Sequence, residues 1–185
     1  MLCFAFQGTT YNSQLKTLIE DMKIGTIIHF ARNVENIRQV YALNKEIVKH
    51  SSIPPFIGID QEGGMVRRVQ NEITYLPGAM ALTNSSNDMI YQIYYKTAVE
   101  LKKLGYNLNF MPSLDINNNP YNPVINSRSY SDDKDIVKEK GYIACKAMQD
   151  ALVLPTPKHF PGHGNTNVDS HVGLPVVKNS LNSIH

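Results

Sequence analysis

The densest group of reactive side chains runs Lys158-His159-Phe160-Pro161-Gly162-His163-Gly164-Asn165-Thr166 and continues to Asp169-Ser170-His171. Imidazoles, a lysine and a carboxylate share a stretch stiffened by a proline and two glycines, a make-up that suits chemistry better than a merely solvated loop. Asp169 and His171 are two positions apart, so in an extended segment their side chains project to the same side and can hydrogen-bond. A carboxylate so placed holds an imidazole in one tautomer and raises its basicity, giving a pair able to deliver and retrieve protons near neutral pH. A rival use of the same residues is metal binding, because His159, His163, Asp169 and His171 could supply four zinc ligands. Pro161 and Gly162 lie between the two four-spaced histidines and argue against a helical ligand pair.

A second group, Asp60-Gln61-Glu62-Gly63-Gly64-Met65-Val66-Arg67-Arg68, follows the apolar run Ile57-Gly58-Ile59. A carboxylate at such a strand end can accept two sugar hydroxyls, with Arg68 donating to a further oxygen; a salt-bridged loop is the plainer alternative. The third group runs from Asp115 through Asn117, Asn118, Asn119, Pro120, Asn122 and Pro123 to Arg128 and Tyr130. Asn and Pro specify turns, so taken alone it reads as a rigid polar loop and Arg128 as a surface arginine.

These groups need a frame that gathers them. Strand-length apolar runs, Leu2 to Phe6, Thr26 to Phe30, Phe56 to Ile59, Leu108 to Met111 and Leu154 to Lys158, alternate with segments of helical period at Asn12 to Met22, Val34 to His50, Ser86 to Leu104 and Asp132 to Leu152. Such alternation predicts β/α units around a parallel sheet. Asn33 or Asn36 can cap the second helix and Ser85 or Ser86 the third. Gly25 and Gly105 stand where helices end in a left-handed residue. A doubly wound nucleotide-binding sheet usually carries a glycine-rich phosphate loop after its first strand, and Phe6-Gln7-Gly8-Thr9-Thr10 is not one. Polar clusters instead follow strand after strand, as in a (β/α)8 TIM-type barrel whose βα loops converge on one mouth. The predicted fold is therefore α/β, a barrel with about five of its eight units in residues 1–185.

Composition excludes other classes. Apolar residues make up 42% and charged residues 18% of the 185 positions, so a packed core is feasible and disorder is not indicated. A formal net charge of +2 without a basic run speaks against nucleic acid as a partner. Cys3 and Cys145, far apart and outside any metal or redox spacing, fit a reducing compartment as core or half-buried thiols. No stretch reaches the roughly 20 apolar residues of a membrane span, and the short Met1 to Phe6 run lacks the features of a signal peptide. Cytoplasmic residence is the default expectation. Oligomeric state is not legible.

Asp-Gln-Glu-Gly-Gly at 60–64, Leu-Asp-Ile-Asn-Asn-Asn-Pro at 114–120, Asn-Pro-Val-Ile with Arg-Ser-Tyr at 122–130, and Lys-His-Phe-Pro-Gly-His-Gly with Asp-Ser-His at 158–171 resemble, in order and spacing, family 3 glycoside hydrolases. The bacterial cytoplasmic β-N-acetylglucosaminidases are the nearest group, and His29 to Asn33 extends the likeness over nearly the whole chain. The resemblance implies His171 as general acid/base and Asp169 as its orienting partner. It implies Asp60, Arg68, Arg128, Lys158 and His159 as the residues that hold N-acetylglucosamine beside the scissile bond. It also implies a retaining mechanism without metal or organic cofactor, acting on a small β-linked carbohydrate, with cell-wall recycling as its setting. Met65 stands where the family commonly has arginine, and Asn165 where aspartate is usual. The family's nucleophilic aspartate belongs to a later strand, expected beyond His185, so residues 1–185 are expected to be part of the N-terminal barrel domain and to show no turnover alone. A non-catalytic sugar-binding remnant and an N-acetylglucosaminide phosphorylase are the alternatives, the latter because a neutral imidazole repels an anionic acceptor less than a carboxylate would.

Overall fold

The computed structural model describes residues 2–177. Five parallel strands form one sheet: β1 (Cys3–Ala5), β2 (Thr26–His29), β3 (Phe56–Ile59), β4 (Leu108–Asn109) and β5 (Leu154–Pro155). Their spatial order is β1-β2-β3-β4-β5, each strand beside its predecessor, with Cys3 opposite Thr26, Thr26 opposite Phe56, Gly58 opposite Leu108 and Leu108 opposite Leu154. An order that never reverses is that of a barrel wall; a doubly wound sheet has a switch point.

The strands are shorter than the apolar runs suggest, and prolines explain the last of them. The N–H groups of Leu154, Thr156 and Lys158 donate to Asn107, Asn109 and Pro112 on the β4 side. Pro155 and Pro157 take the alternate positions facing the open edge, where the missing N–H breaks no ladder.

Between strands lie α1 (Ser13–Lys16), running on into a π turn at Thr17–Asp21, then α2 (Ile37–His50), α3 (Ala79–Leu82), α4 (Asn87–Lys103) and α5 (Lys134–Asp150). Caps come from side chains that accept first-turn amides: Asn12 from Leu15, Asn36 from Gln39, Ser86 from Met89 and Asp133 from Asp135. Of the paired cap candidates, Asn36 and Ser86 are the ones used. Gly105 ends α4 with φ +92, whereas after the first helix the positive φ falls on Lys23 and not on Gly25, which corrects that expectation.

In α2, Val40, Leu43, Asn44 and Ile47 recur at three- and four-residue steps and are buried. Val40, Leu43 and Ile47 meet Ile27, Ile57 and Ile59 of the sheet in one core cluster, while Asn44 donates to the Leu104 carbonyl. A second cluster joins α4 to α5 through Ile90, Tyr94, Ala98, Ala144 and Met148. Burying each large aliphatic side chain contributes about 2 kcal/mol.

His29 is fully buried at the end of β2, edge-on to Phe6 and Tyr106, with Nδ1 3.0 Å from the Tyr106 hydroxyl. Its Nε2 has no partner, and burial pushes the imidazole pKa down to about 3. Cys3 is exposed and Cys145 half-buried, both unpaired, so only Cys145 fits the expected burial. Among the described residues no helix is long and apolar enough to cross a membrane.

Candidate functional site

Asp60, Glu62 and Arg68 descend from β3, Asp115 and Arg128 from the segment after β4, and Lys158 and His159 from the segment after β5. The loop after β3 is shaped by two glycines in left-handed conformations. A Cβ on Gly63 (φ +100) would stand 2.3 Å from the Pro77 carbonyl oxygen. Gln61 closes the turn, accepting from the Arg68 and Val69 amides through Oε1 and donating to the Val69 carbonyl through Nε2. Asn109 of β4 accepts from the Gln61 amide and donates to its carbonyl, which fixes the turn against the next strand.

The charged side chains form one connected network. Lys158 Nζ lies 2.7 Å from Asp60 Oδ1 and 2.5 Å from Glu62 Oε1. Arg128 grips Glu62 bidentately, Nη2 to Oε1 at 2.8 Å and Nε to Oε2 at 2.9 Å. Arg68 Nη2 reaches Asp60 Oδ2 at 3.4 Å, and its Nε is buried without a partner. Arg128 Nη2 also stands 3.4 Å from His159 Nε2, while His159 Nδ1 is 2.6 Å from Asp115 Oδ2. The ring of five sequence-predicted ligands, Asp60, Arg68, Arg128, Lys158 and His159, is thus drawn together through Glu62 and Asp115.

Arg128 is a clamp rather than an ordinary surface arginine. Its side chain is only 12% exposed and that of Glu62 only 6%. Burial works against the guanidinium charge, yet Glu62 first and then Asp115 and Asp60 outweigh it and raise the Arg128 pKa. A fixed, desolvated array of alternating donors and acceptors suits a ligand rich in hydroxyls, because each hydroxyl both donates and accepts.

The loop after β5 is bound to the loop after β4. Asn122 Nδ2 donates to the His163 and Thr166 carbonyls at 2.6 and 3.1 Å, and its Oδ1 accepts from the Val124 and Ile125 amides. Gly164 passes so close to Ile116 that a Cβ would fall 1.8 Å from its carbonyl oxygen. His163 is buried, with Nδ1 2.5 Å from Thr166 Oγ1.

Asp169 and His171 do pair, with Nδ1 to Oδ1 at 2.6 Å, and the same carboxylate oxygen accepts the His171 amide at 2.8 Å. The geometry is a turn and not the extended segment the spacing suggested, since the Val172 and Gly173 amides both bond back to the Asp169 carbonyl. First the His171 amide and then its imidazole hold the Asp169 carboxyl below its usual range. The dyad stands apart from the buried network: the His171 side chain is 80% exposed. The four-ligand metal arrangement does not assemble, for among the described residues no three His, Cys, Asp or Glu side chains converge as ligands.

Glu62, Asp115 and Asn122 were not singled out as site residues by sequence, and His163 was weighed only as a ligand of the rival zinc arrangement. Their motifs flagged the segments, but pairings such as Glu62 with Arg128 are long-range and leave no local signal. Met65, one of the two departures from the family pattern, is exposed.

The sequence model of the "Glycosyl hydrolase family 3 N terminal domain" matches residues 4–185. The chain belongs to glycosyl hydrolase family 3. Beta-hexosaminidase A of Pseudoalteromonas piscicida is 42% identical over 96% of this chain and 31% of its own length. Among solved structures of the family, a beta-N-acetylglucosaminidase from Paenibacillus sp. str. FPU-7 superposes with a TM-score of 0.95 at 42% identity, covering 98% of this chain and 36% of that one. NagZ from Neisseria gonorrhoeae, in complex with N-trifluoroacetyl-D-glucosamine, gives a TM-score of 0.91 at 30% identity, covering 99% of this chain and 56% of that one. The five-stranded sheet is accordingly part of the family 3 TIM-type barrel. The chain spans between about a third and about half of these relatives' lengths.

Proposed function

We propose that this chain supplies the sugar-holding subsite and the proton-transfer dyad of a retaining β-N-acetylhexosaminidase that removes terminal N-acetylglucosamine. The observation that carries the reading is the convergence of Asp60, Arg68, Arg128, Lys158 and His159 into one half-buried network, built on the buried Glu62 and Asp115, beyond β3, β4 and β5. Asp60 and Lys158 hold neighbouring hydroxyls, and Arg68, Arg128 and His159 complete the ring of polar contacts. A sugar entering this array exchanges water contacts for fixed partners, so orientation is gained at little reorganisation cost.

His171 then acts as the general acid that protonates the leaving oxygen and as the general base that activates water for the second step. Asp169 fixes its tautomer by accepting from Nδ1, which leaves Nε2 for the proton transfer. A retaining reaction also needs a nucleophilic carboxylate. Asp60, Glu62 and Asp115 are each engaged by lysine, arginine or histidine, and we assign the nucleophile to the length of the relatives that this chain does not span. No metal or organic cofactor enters the scheme. The setting we assign is cytoplasmic recycling of cell-wall fragments, for which the two unpaired cysteines and the motif resemblance to the bacterial cytoplasmic β-N-acetylglucosaminidases are the support.

Calorimetric titration with N-acetylglucosamine tests the subsite: measurable binding that disappears in Lys158→Ala is expected, and identical behaviour of the two proteins would overturn it. Hydrolysis of a chromogenic N-acetylglucosaminide tests the chemistry. The 185-residue chain alone should bind without turnover, and a form carrying the nucleophile should lose turnover in His171→Ala. The exposure of His171 favours a second reading, a sugar-binding remnant, if no such form turns substrate over. Product analysis with and without phosphate separates hydrolysis from phosphorolysis.

A further inference from the structure

The Asp115 carboxylate has no exposed surface, and each oxygen has a distinct task. Oδ2 faces His159 Nδ1 at 2.6 Å and the Ser113 hydroxyl at 2.9 Å, while Oδ1 accepts the His163 amide at 2.6 Å. Burial alone would neutralise this acid. The hydrogen bonds from His159, the His163 amide and Ser113 overcome burial and hold the carboxyl below its usual range.

An ionised carboxylate only accepts, so the shared hydrogen must sit on His159 Nδ1. On the other side of the ring Arg128, which can only donate, stands 3.4 Å from Nε2. The two neighbours point independently to one tautomer of the neutral ring, with its hydrogen on Nδ1 and a lone pair on Nε2.

We propose that Asp115 is a positioning residue that fixes His159 in its Nδ1–H tautomer, so that Nε2, which Arg128 approaches only at 3.4 Å, is a hydrogen-bond acceptor that a sugar hydroxyl can take over from the guanidinium. Through Oδ1 the same carboxylate ties this choice to the backbone of the segment that leads on to Asp169 and His171. The functional half of the inference rests on the sugar-binding reading given above; the tautomer does not depend on it.

Imidazole 15N spectra of the labelled 185-residue chain, recorded at alkaline pH where histidines are neutral, read the tautomer directly. His159 of the native protein should show a protonated Nδ1 and an unprotonated Nε2, against the solution preference for Nε2–H. Asp115→Asn can turn its amide N–H toward Nδ1; it should shift His159 toward Nε2–H and weaken N-acetylglucosamine binding about tenfold, the loss of one well-made hydrogen bond. Ser113→Ala should leave the tautomer unchanged. Native His159 found as Nε2–H overturns the proposal even if the asparagine variant does not fold. A folded Asp115→Asn protein with unaltered tautomer or unaltered sugar affinity overturns it as well. Failure of the native chain to bind the sugar at all overturns the functional reading above and leaves the tautomer result to be judged by itself.

Discussion

Replacing His29 with leucine should make the protein less sensitive to acid, by an amount that the burial of this ring sets. In the fold the imidazole pKa is pushed down to about 3, while an unfolded chain restores the ordinary value of 6.5. Below pH 6.5 the unfolded state takes up a proton that the native state refuses, so the stabilisation from neutral His29 shrinks as pH falls and levels off near pH 3. Each unit between those limits costs about 1.4 kcal/mol, which integrates to about 2.5 kcal/mol between pH 7 and pH 4.5. The unpartnered Nε2, with no acceptor for a second hydrogen, is the structural reason. Urea unfolding of native protein and His29→Leu at both pH values gives the test as a double difference. Other titrating groups, and the Tyr106 hydroxyl left without its imidazole, cancel between the two conditions. If both proteins lose the same stability on acidification, the argument from burial is refuted.

Glu62→Ala strips Arg128 and Lys158 of a buried partner, and about 3 kcal/mol should be lost in chemical denaturation. Gly164→Ala forces a Cβ into the Ile116 carbonyl; the melting temperature should drop by several degrees and N-acetylglucosamine binding should weaken, as a calorimetric titration would show. Asn122→Ala removes bonds to both loops it joins and should cost about 2 kcal/mol while increasing proteolysis near 163–170. His171→Ala should behave oppositely, with a melting temperature within error of the native value because the ring is so exposed, and with its effect confined to turnover.

Periodicity was enough to locate five strands, three long helices and the helical segment at 13–21, because apolar residues recur at each element's own period. It missed α3 and the turn at Asn126–Arg128, which are too short to show a period. The predicted strand bounds ran past the observed ones at β1, β2, β4 and β5, although beyond β5 the amides of Thr156 and Lys158 still bond to the β4 side. At the candidate site, motif order pointed to the correct segments, but side-chain partnerships did not follow from it. Arg128 looked ordinary until Glu62 was placed opposite, and Asp115 read as part of a rigid polar loop until His159 came to rest against it. The Asp169–His171 pair was legible because its two members are sequence neighbours, although the backbone reaches that contact by a turn.

The uninterrupted order of the sheet also governs how the chain can form. Every strand docks on the one synthesised immediately before it, Thr26 on Cys3, Phe56 on Thr26, Leu108 on Gly58 and Leu154 on Leu108. Within these five strands none waits for a distant partner, so this part of the wall can form unit by unit as a nascent polypeptide leaves the ribosome. The segment after β5 brings Lys158 and His159, so the charged ring closes only when the fifth strand docks on the fourth.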